Sequence, residues 1–357
     1  MTTDQRVLGL DIGGANIKLA SDDGSYVQTK PFPMWARHQE LATAVEGMIE
    51  AYIAHCKTQH AYAVIDAIAV TMTGELADCF SSKQSGVIAI CTAVQTAAGN
   101  RVPIYFYGTD GSWRTATQAS QNWHTLAASN WHAMANLCGQ LVPDNTHLLI
   151  DIGSTSTDII PLVNGEVATD SLDDLTRLQS GQLVYCGVER TPICSLVSEF
   201  NLDNTHTPVA RELFATTLDV FLLSGDVAEQ PLNTSTADGK PATRQDAQRR
   251  MARMICQCPE LLTDLELQQL VQQSRQAVFD LLTVATQKVL AELNSQPDSI
   301  IAVGQATFLI TELAGDIPVI HLSDLWPGIN QQVSRVGPAL AVAALLQQEL
   351  ATSPSYE

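Results

Sequence analysis

The chain has 357 residues, 38 of them acidic and 19 basic, for a formal charge of −19 at neutral pH. So acidic a surface excludes a nucleic-acid backbone or an anionic membrane as partner, and an anionic ligand must then be held by local donors and metal. The length predicts two domains; the polar start from Met1 to Arg6 and the absence of any apolar run long enough to span a bilayer predict a cytoplasmic protein.

Residues 8–20, LGLDIGGANIKLA, read as a buried strand, a small-residue turn and a second strand, with Asp22-Asp23-Gly24 turning into a return strand at 26–29. Gly13 and Gly14 leave backbone amides open to a phosphate with no Cβ in the way, and Asn16 and Lys18 add a donor and a positive charge. Helical spacing follows over 38–57, then a short buried strand, Ala67–Met72, running into Thr71-Met-Thr-Gly-Glu75-Leu-Ala-Asp78. Carboxylates just past a buried strand stand where α/β sheets place ligand groups. Thr73 and Glu75 equally fit an ordinary helix cap, and both readings stand.

A helix is predicted over Lys83–Ala98, a strand over 102–107, a helical stretch around Trp123 and a helix ending near Leu141. Trp113, Trp123 and Trp131 either pack the core or wall an aromatic substrate. Residues 149–162, LIDIGSTSTDIIPL, then repeat the opening pattern. Asp151 matches Asp11, Gly153 matches the first glycine, and Ser154, Thr155, Ser156 and Thr157 supply hydroxyl donors before Asp158. Two such carboxylates facing one cleft predict Mg²⁺ bound through carboxylate and phosphate oxygens.

Beyond this, 173–181 and 182–185 lead into Gly187-Val-Glu-Arg190-Thr-Pro192, whose arginine either clamps an anion or makes an internal salt bridge. Helical spacing is read over 208–223, a polar functional or disordered loop over 225–243, and helices over 244–257 and 264–294. A strand from Ser299 ends in the turn Gly304-Gln305-Ala306, and an alanine-rich helix over 336–350 packs back on the first lobe. The eight cysteines contain no C-x-x-C pair and are read as buried thiols.

The two phosphate-type turns and Val303-Gly304-Gln305-Ala306 resemble the phosphate and adenosine motifs of the actin, sugar kinase and Hsp70 superfamily. A narrower resemblance, to hydantoinase/oxoprolinase-type proteins of tetrahydromethanopterin-linked C1 transfer, is carried by residues 13–18, 71–78, 128–131, 151–158, 187–192 and 236–239. It implies an α/β, two-lobed actin-like (ribonuclease H-like) ATPase fold with a duplicated βββαβα core. The first lobe would span 1–145, completed by a C-terminal helix at 331–357; the second would span 146–330, with a helical insertion at 206–294. That family includes an archaeal synthase of methanofuran biosynthesis.

The implied activity is therefore alkyl or aryl transfer of the EC 2.5.1 type. A furfuryl-type diphosphate condenses with a phenolic acceptor and releases diphosphate, in methanofuran or methylofuran biosynthesis. Lys18, Mg²⁺ on Asp11 and Asp151, and the hydroxyl turn would neutralise the leaving group. Glu75, Asp78 and Asp158 are the unranked proton acceptors, Trp131 would flank the cationic ring, and Arg190, Gly304 and Gln305 would complete the substrate site. The alternative is an ATP-dependent kinase or hydantoinase/oxoprolinase-like ATPase; Gln305 after Gly304 departs from the usual double glycine and counts against ATP. A homodimer is a further expectation.

Overall fold

The computed structural model describes residues 6–58, 65–99, 102–293, 295–326, 329 and 331–352. The chain divides into two compact units, one made of residues 1–149, 160–177 and 320–357, the other of residues 150–159 and 178–319.

The first sheet contains β1 (Val7–Ile12), β2 (Asn16–Ser21), β3 (Val27–Pro31), β4 (Ala67–Met72), β5 (Ile104–Tyr107) and β6 (Trp113–Arg114). Its order is β3-β2-β1-β4-β5-β6, with β1 antiparallel to β2 and parallel to β4. Every residue of β1 and β4 is buried, as continuous apolar runs covered on both faces require. One cover is the C-terminal helix, Gly337–Thr352, which reaches β1 because Gly9 has no side chain: a Cβ there would strike the Ala339 carbonyl. Helix Lys83–Ala98 starts on a reciprocal Ser82–Ser85 capping box.

The second sheet contains β7 (Thr146–Ile152), β8 (Thr157–Val163), β9 (Glu166–Val167), β10 (Leu183–Val184), β13 (Ser299–Gly304) and β14 (Val319–His321). Its order is β10-β8-β7-β13-β14, with β9 on β8. In both sheets the strand ending in Asp-Ile has the strand after its turn on one side and a much later strand on the other. That shared order is the duplication implied by the repeated sequence, and the fold is the α/β actin-like one expected. The β8–β9 turn is Asn164-Gly165, both at positive φ, as a tight hairpin demands.

Three expectations are corrected. Residues 208–223 are not one helix: β11 (Glu199–Leu202) and β12 (Thr205–Pro208) form a hairpin, and the helix is Thr217–Ser224. Asp203 and Asn204 both turn through positive φ, and a Thr216–Asp219 capping box fixes the late helix start. Thr73 and Glu75 do not cap a helix, since the turn Gly74–Leu76 has no side-chain cap bond. Cys256 and Cys258 are exposed, while Cys56, Cys91, Cys138 and Cys186 are buried as read.

A separate core gathers Phe200, Met251, Met254 and Leu270, all fully buried, with the 29-residue helix Asp264–Glu292 supplying part of it. Among the described residues, no helix is long and apolar enough to cross a membrane. Helix Asp264–Glu292 ends before Asn294, which lies outside the described residues.

Candidate functional site

In the first unit the β1–β2 turn closes through a hydrogen bond from the Gly13 amide to the Asn16 carbonyl (3.0 Å). A Cβ at Gly14 would meet nothing within 4 Å, so this backbone is open to an approaching anion. Residues 13–16 are half-buried. Asp11 and Lys18 are paired in the antiparallel register, which brings Lys18 Nζ to 3.2 Å from Asp11 Oδ2. Asp11 is 2% exposed, and its Oδ1 accepts no hydrogen bond.

A buried carboxylate oxygen without a donor is costly, and it is the kind of atom a divalent cation satisfies. Among the described residues no three His, Cys, Asp or Glu converge as a metal cage. That suits Mg²⁺, which takes one or two protein carboxylates and completes its octahedron with phosphate and water.

Glu75 stands against this turn. The Thr73 amide donates to the Ile12 carbonyl at 3.0 Å, and Gly74 is so close that a Cβ there would lie 3.1 Å from both the Ile12 and Gly13 carbonyls. Glu75 is 1% exposed and neither carboxylate oxygen accepts a hydrogen bond. Burial pushes its pKa up to about 7, with Asp174 adding to the rise. The amides of Glu75 and Ala128 favour the anion without closing a hydrogen bond. Lys83 favours it also, but its ammonium is committed to Asp174 at 2.6 Å.

Further polar and aromatic groups of the first unit lie on β4, β5 and helix Asn130–Leu141. Thr71, in register with Asp11, shares a 2.8 Å hydroxyl contact with Ser129, the residue before helix Asn130–Leu141. Trp131, in that helix's first turn, is 2% exposed with its Nε1 lacking a hydrogen-bond partner, and the Arg177 guanidinium lies 4.1 Å from its ring centroid. The Trp131 face read as a wall for a cationic ring thus already carries a cation of the chain itself. His132 Nδ1 and the Asn136 amide both meet the Tyr107 hydroxyl, at 3.0 and 2.8 Å. Burial holds His132 down to about 4, so the ring is neutral at physiological pH. Asp78, three residues past Glu75, is exposed and does not join the group.

In the second unit the β7–β8 turn repeats the first. The Gly153 amide donates to the Ser156 carbonyl at 2.9 Å, and residues 153–156 are half-buried. Thr157 leaves the set, because its hydroxyl is spent on the Cys186 carbonyl at 2.8 Å, while Asp158 is half-buried on β8. The segment after Cys186 clasps the turn. Val188 N bonds Gly153 O at 3.0 Å, and the Glu189 and Arg190 amides both bond Ser154 O at 3.0 and 3.1 Å. Gly187 must be glycine here, since a Cβ would lie 2.5 Å from Ser154 C and Thr155 N. The Arg190 side chain is exposed. Gly304, at φ +89°, is pressed against Asp151 and the Ile152 carbonyl, to which the Gln305 amide donates at 2.8 Å. Gly153, Ser154, Thr155, Ser156, Asp151, Gly304, Gln305 and the strap 187–190 therefore share one neighbourhood.

That strap is anchored from behind. Thr217 donates to the Gly187 carbonyl (2.7 Å), and Asp219, in the same helix, accepts a hydrogen bond from Arg250 Nε at 2.8 Å, with Nη2 in ion-pair contact at 2.7 Å. Arg250 Nη1 also holds Asp238 of the 225–243 loop at 2.9 Å, so that stretch is ordered by an arginine that sequence reading passed over.

A family model described as hydantoinase/oxoprolinase matches residues 66–296. A Methanocaldococcus jannaschii protein named (4-{4-[2-(gamma-L-glutamylamino)ethyl]phenoxymethyl}furan-2-yl)methanamine synthase is 30% identical over 346 residues, 96% of this chain and 98% of that protein. A Methanococcus vannielii protein of the same name is 29% identical over 211 residues, 58% of this chain and 93% of its own. Among solved structures, a nucleotide-free acetone carboxylase aligns over 95% of this chain and 70% of its own with 11% identity and a TM-score of 0.47.

Proposed function

The chain belongs to the hydantoinase/oxoprolinase family, and from that membership we propose that it is a biosynthetic transferase forming an aryl furfuryl ether, in the making of a methanofuran-type C1 carrier. The donor is an (aminomethyl)furanylmethyl diphosphate and the acceptor a phenol of the γ-glutamyltyramine kind, the two halves of the product named for the relatives. The observation that carries the reading is the turn open at Gly14, with the Gly13 amide spent on closing it, flanked by Lys18 and by a buried Asp11 with an unbonded oxygen.

In the reaction the methylene C–O bond breaks and its electron pair leaves with the diphosphate, while the furan oxygen donates into the cationic methylene. The phenol oxygen forms the new C–O bond, and its proton departs on the diphosphate. The protein's part is to stabilise the leaving charge. Lys18 Nζ and the open Gly14 backbone would face the diphosphate in the first unit. In the second unit, Gly153 and the hydroxyls of Ser154, Thr155 and Ser156 form the equivalent turn. Mg²⁺, when bound, would be held by Asp11 and would supply charge neutralisation.

Incubation with [5-(aminomethyl)furan-3-yl]methyl diphosphate, γ-glutamyltyramine and Mg²⁺ is expected to give the ether and one equivalent of diphosphate by mass spectrometry. Asp11→Asn is expected to lower kcat/KM by about 100-fold or more, the scale of losing one preorganised charge contact. Acceptor-dependent formation of ADP from ATP, with no ether, would overturn the reading in favour of phosphoryl transfer.

A further inference from the structure

Resting on that function, we propose that Glu75 is the seat of a primary ammonium group of the substrate. Both oxygens of this side chain are buried and accept no hydrogen bond, although a buried carboxylate is tolerated only when charge or donors compensate it. The chain spends its own nearby cation elsewhere, because Lys83 is bonded to Asp174. Helix Lys83–Ala98 packs closely on this segment: Gly86 lies against the Glu75 backbone, where a Cβ would come within 2.7 Å of the Glu75 Cα. In the free protein burial favours the protonated acid, and a cation from outside would restore the carboxylate.

The occupant is an ammonium. A primary ammonium offers three donors, enough for both Glu75 oxygens at once. The position fits a ligand whose other end is the leaving group, since Gly74 packs on the Ile12 and Gly13 carbonyls of the phosphate-binding turn. The product named for the relatives carries a primary amine on the furan half and another in the γ-glutamyl group of the phenol half.

Four substrate pairings test this: the furan diphosphate with and without its aminomethyl group, each with γ-glutamyltyramine or with its glutaryl analogue lacking the α-amine. The measured quantity is the ratio of kcat/KM for amine-bearing over amine-free substrate. In the wild type the ratio is expected to be large, and in Glu75→Gln to collapse by about 100-fold, the scale on which a site rejects a partner lacking its charged hydrogen bonds. Collapse on the donor arm assigns the aminomethyl group; collapse on the acceptor arm assigns the α-amine. Glu75→Asp, which keeps the charge, is expected to keep most of the ratio while losing rate. Should Glu75→Gln slow all four pairings by one factor, the ratios standing, Glu75 is a proton acceptor or a structural group and the ammonium seat is overturned. A wild type that forms no ether from any pairing overturns the transferase reading and the seat with it.

Discussion

The two units each bury a carboxylate next to a phosphate-type turn and treat it in opposite ways. Asp219, 1% exposed, accepts hydrogen bonds from Arg250 Nε and the Thr216 amide and is ion-paired with the guanidinium. Glu75, also 1% exposed, has no paired cation and closes no hydrogen bond, with only its own amide, the Ala128 amide and the more distant Lys83 favouring the anion. Burial raises the pKa of both carboxyls; at Asp219 the guanidinium works against the rise, and at Glu75 it stands at about 7. The difference separates architecture from chemistry. A satisfied buried ion pair fixes a geometry, here that of the helix carrying Thr217 and so of the strap on the Ser154 turn. An unsatisfied one is a standing cost that persists where a ligand meets it.

Removing Arg250 turns Asp219 into a second Glu75 and breaks the comparison hardest. Arg250→Ala is expected to destabilise the protein by about 3–5 kcal/mol, the penalty for an uncompensated buried charge, read as a fall in urea midpoint. Adding Asp219→Asn to that variant should recover part of the loss, because the orphaned charge is then gone. A single variant within about 1 kcal/mol of wild type would mean that pairing is not what distinguishes the two sites.

Glu75→Gln sharpens the contrast from the other side, by stabilising the free protein. Burial pushes its carboxyl up to about 7 when folded, against an ordinary value of 4.5. A raised carboxyl pKa means that the folded state holds the proton more tightly, so the wild type loses stability as pH rises from about 4.5 and stops losing it above about 7. Glutamine does not ionise and escapes the loss. The variant is expected to gain up to about 3 kcal/mol over wild type at pH 8 and almost nothing at pH 4, measured by denaturant titration at both. An equal gain at both pH values would show that the carboxylate is not the strained species.

What the sequence made legible follows from how local each signal is. Both turns could be read because a strand, Asp-Ile-Gly and small residues lie together in the chain, and their equivalence emerges as the same order in two sheets. Glu75 was noticed for its place past a buried strand, but its lack of donors depends on Gly86, Ala128 and the Lys83–Asp174 pair, which only folding assembles. Arg177 was illegible: it is buried on a short helix whose Leu175 and Leu178 are exposed, the reverse of what hydropathy predicts. The 208–223 misreading has the same root. Its apolar spacing fits a helix, but Pro208 ends a strand and the Thr216–Asp219 box delays the helix start.

Asp238→Asn makes the gentlest test of the satisfied site, because it loosens the outer half of the pair and leaves Asp219 on Arg250. Partial burial raises the Asp238 pKa, but Arg250, the Lys240 amide and Arg253 outweigh it, and the net shift is downward. The carboxylate is therefore ionised at neutral pH and ties the Thr236–Lys240 turn to helix Arg244–Arg253. Asparagine keeps one acceptor and loses the charge, so a loss of about 1 kcal/mol is expected, the size of a weakened charged hydrogen bond. The loss should be local: amide exchange is expected to quicken across residues 236–240 while the amides of 187–190, held through Asp219 and Thr217, keep their protection. Quickening of both segments together would show that the loop and the strap form one cooperative unit, and that Asp219 alone does not hold the strap.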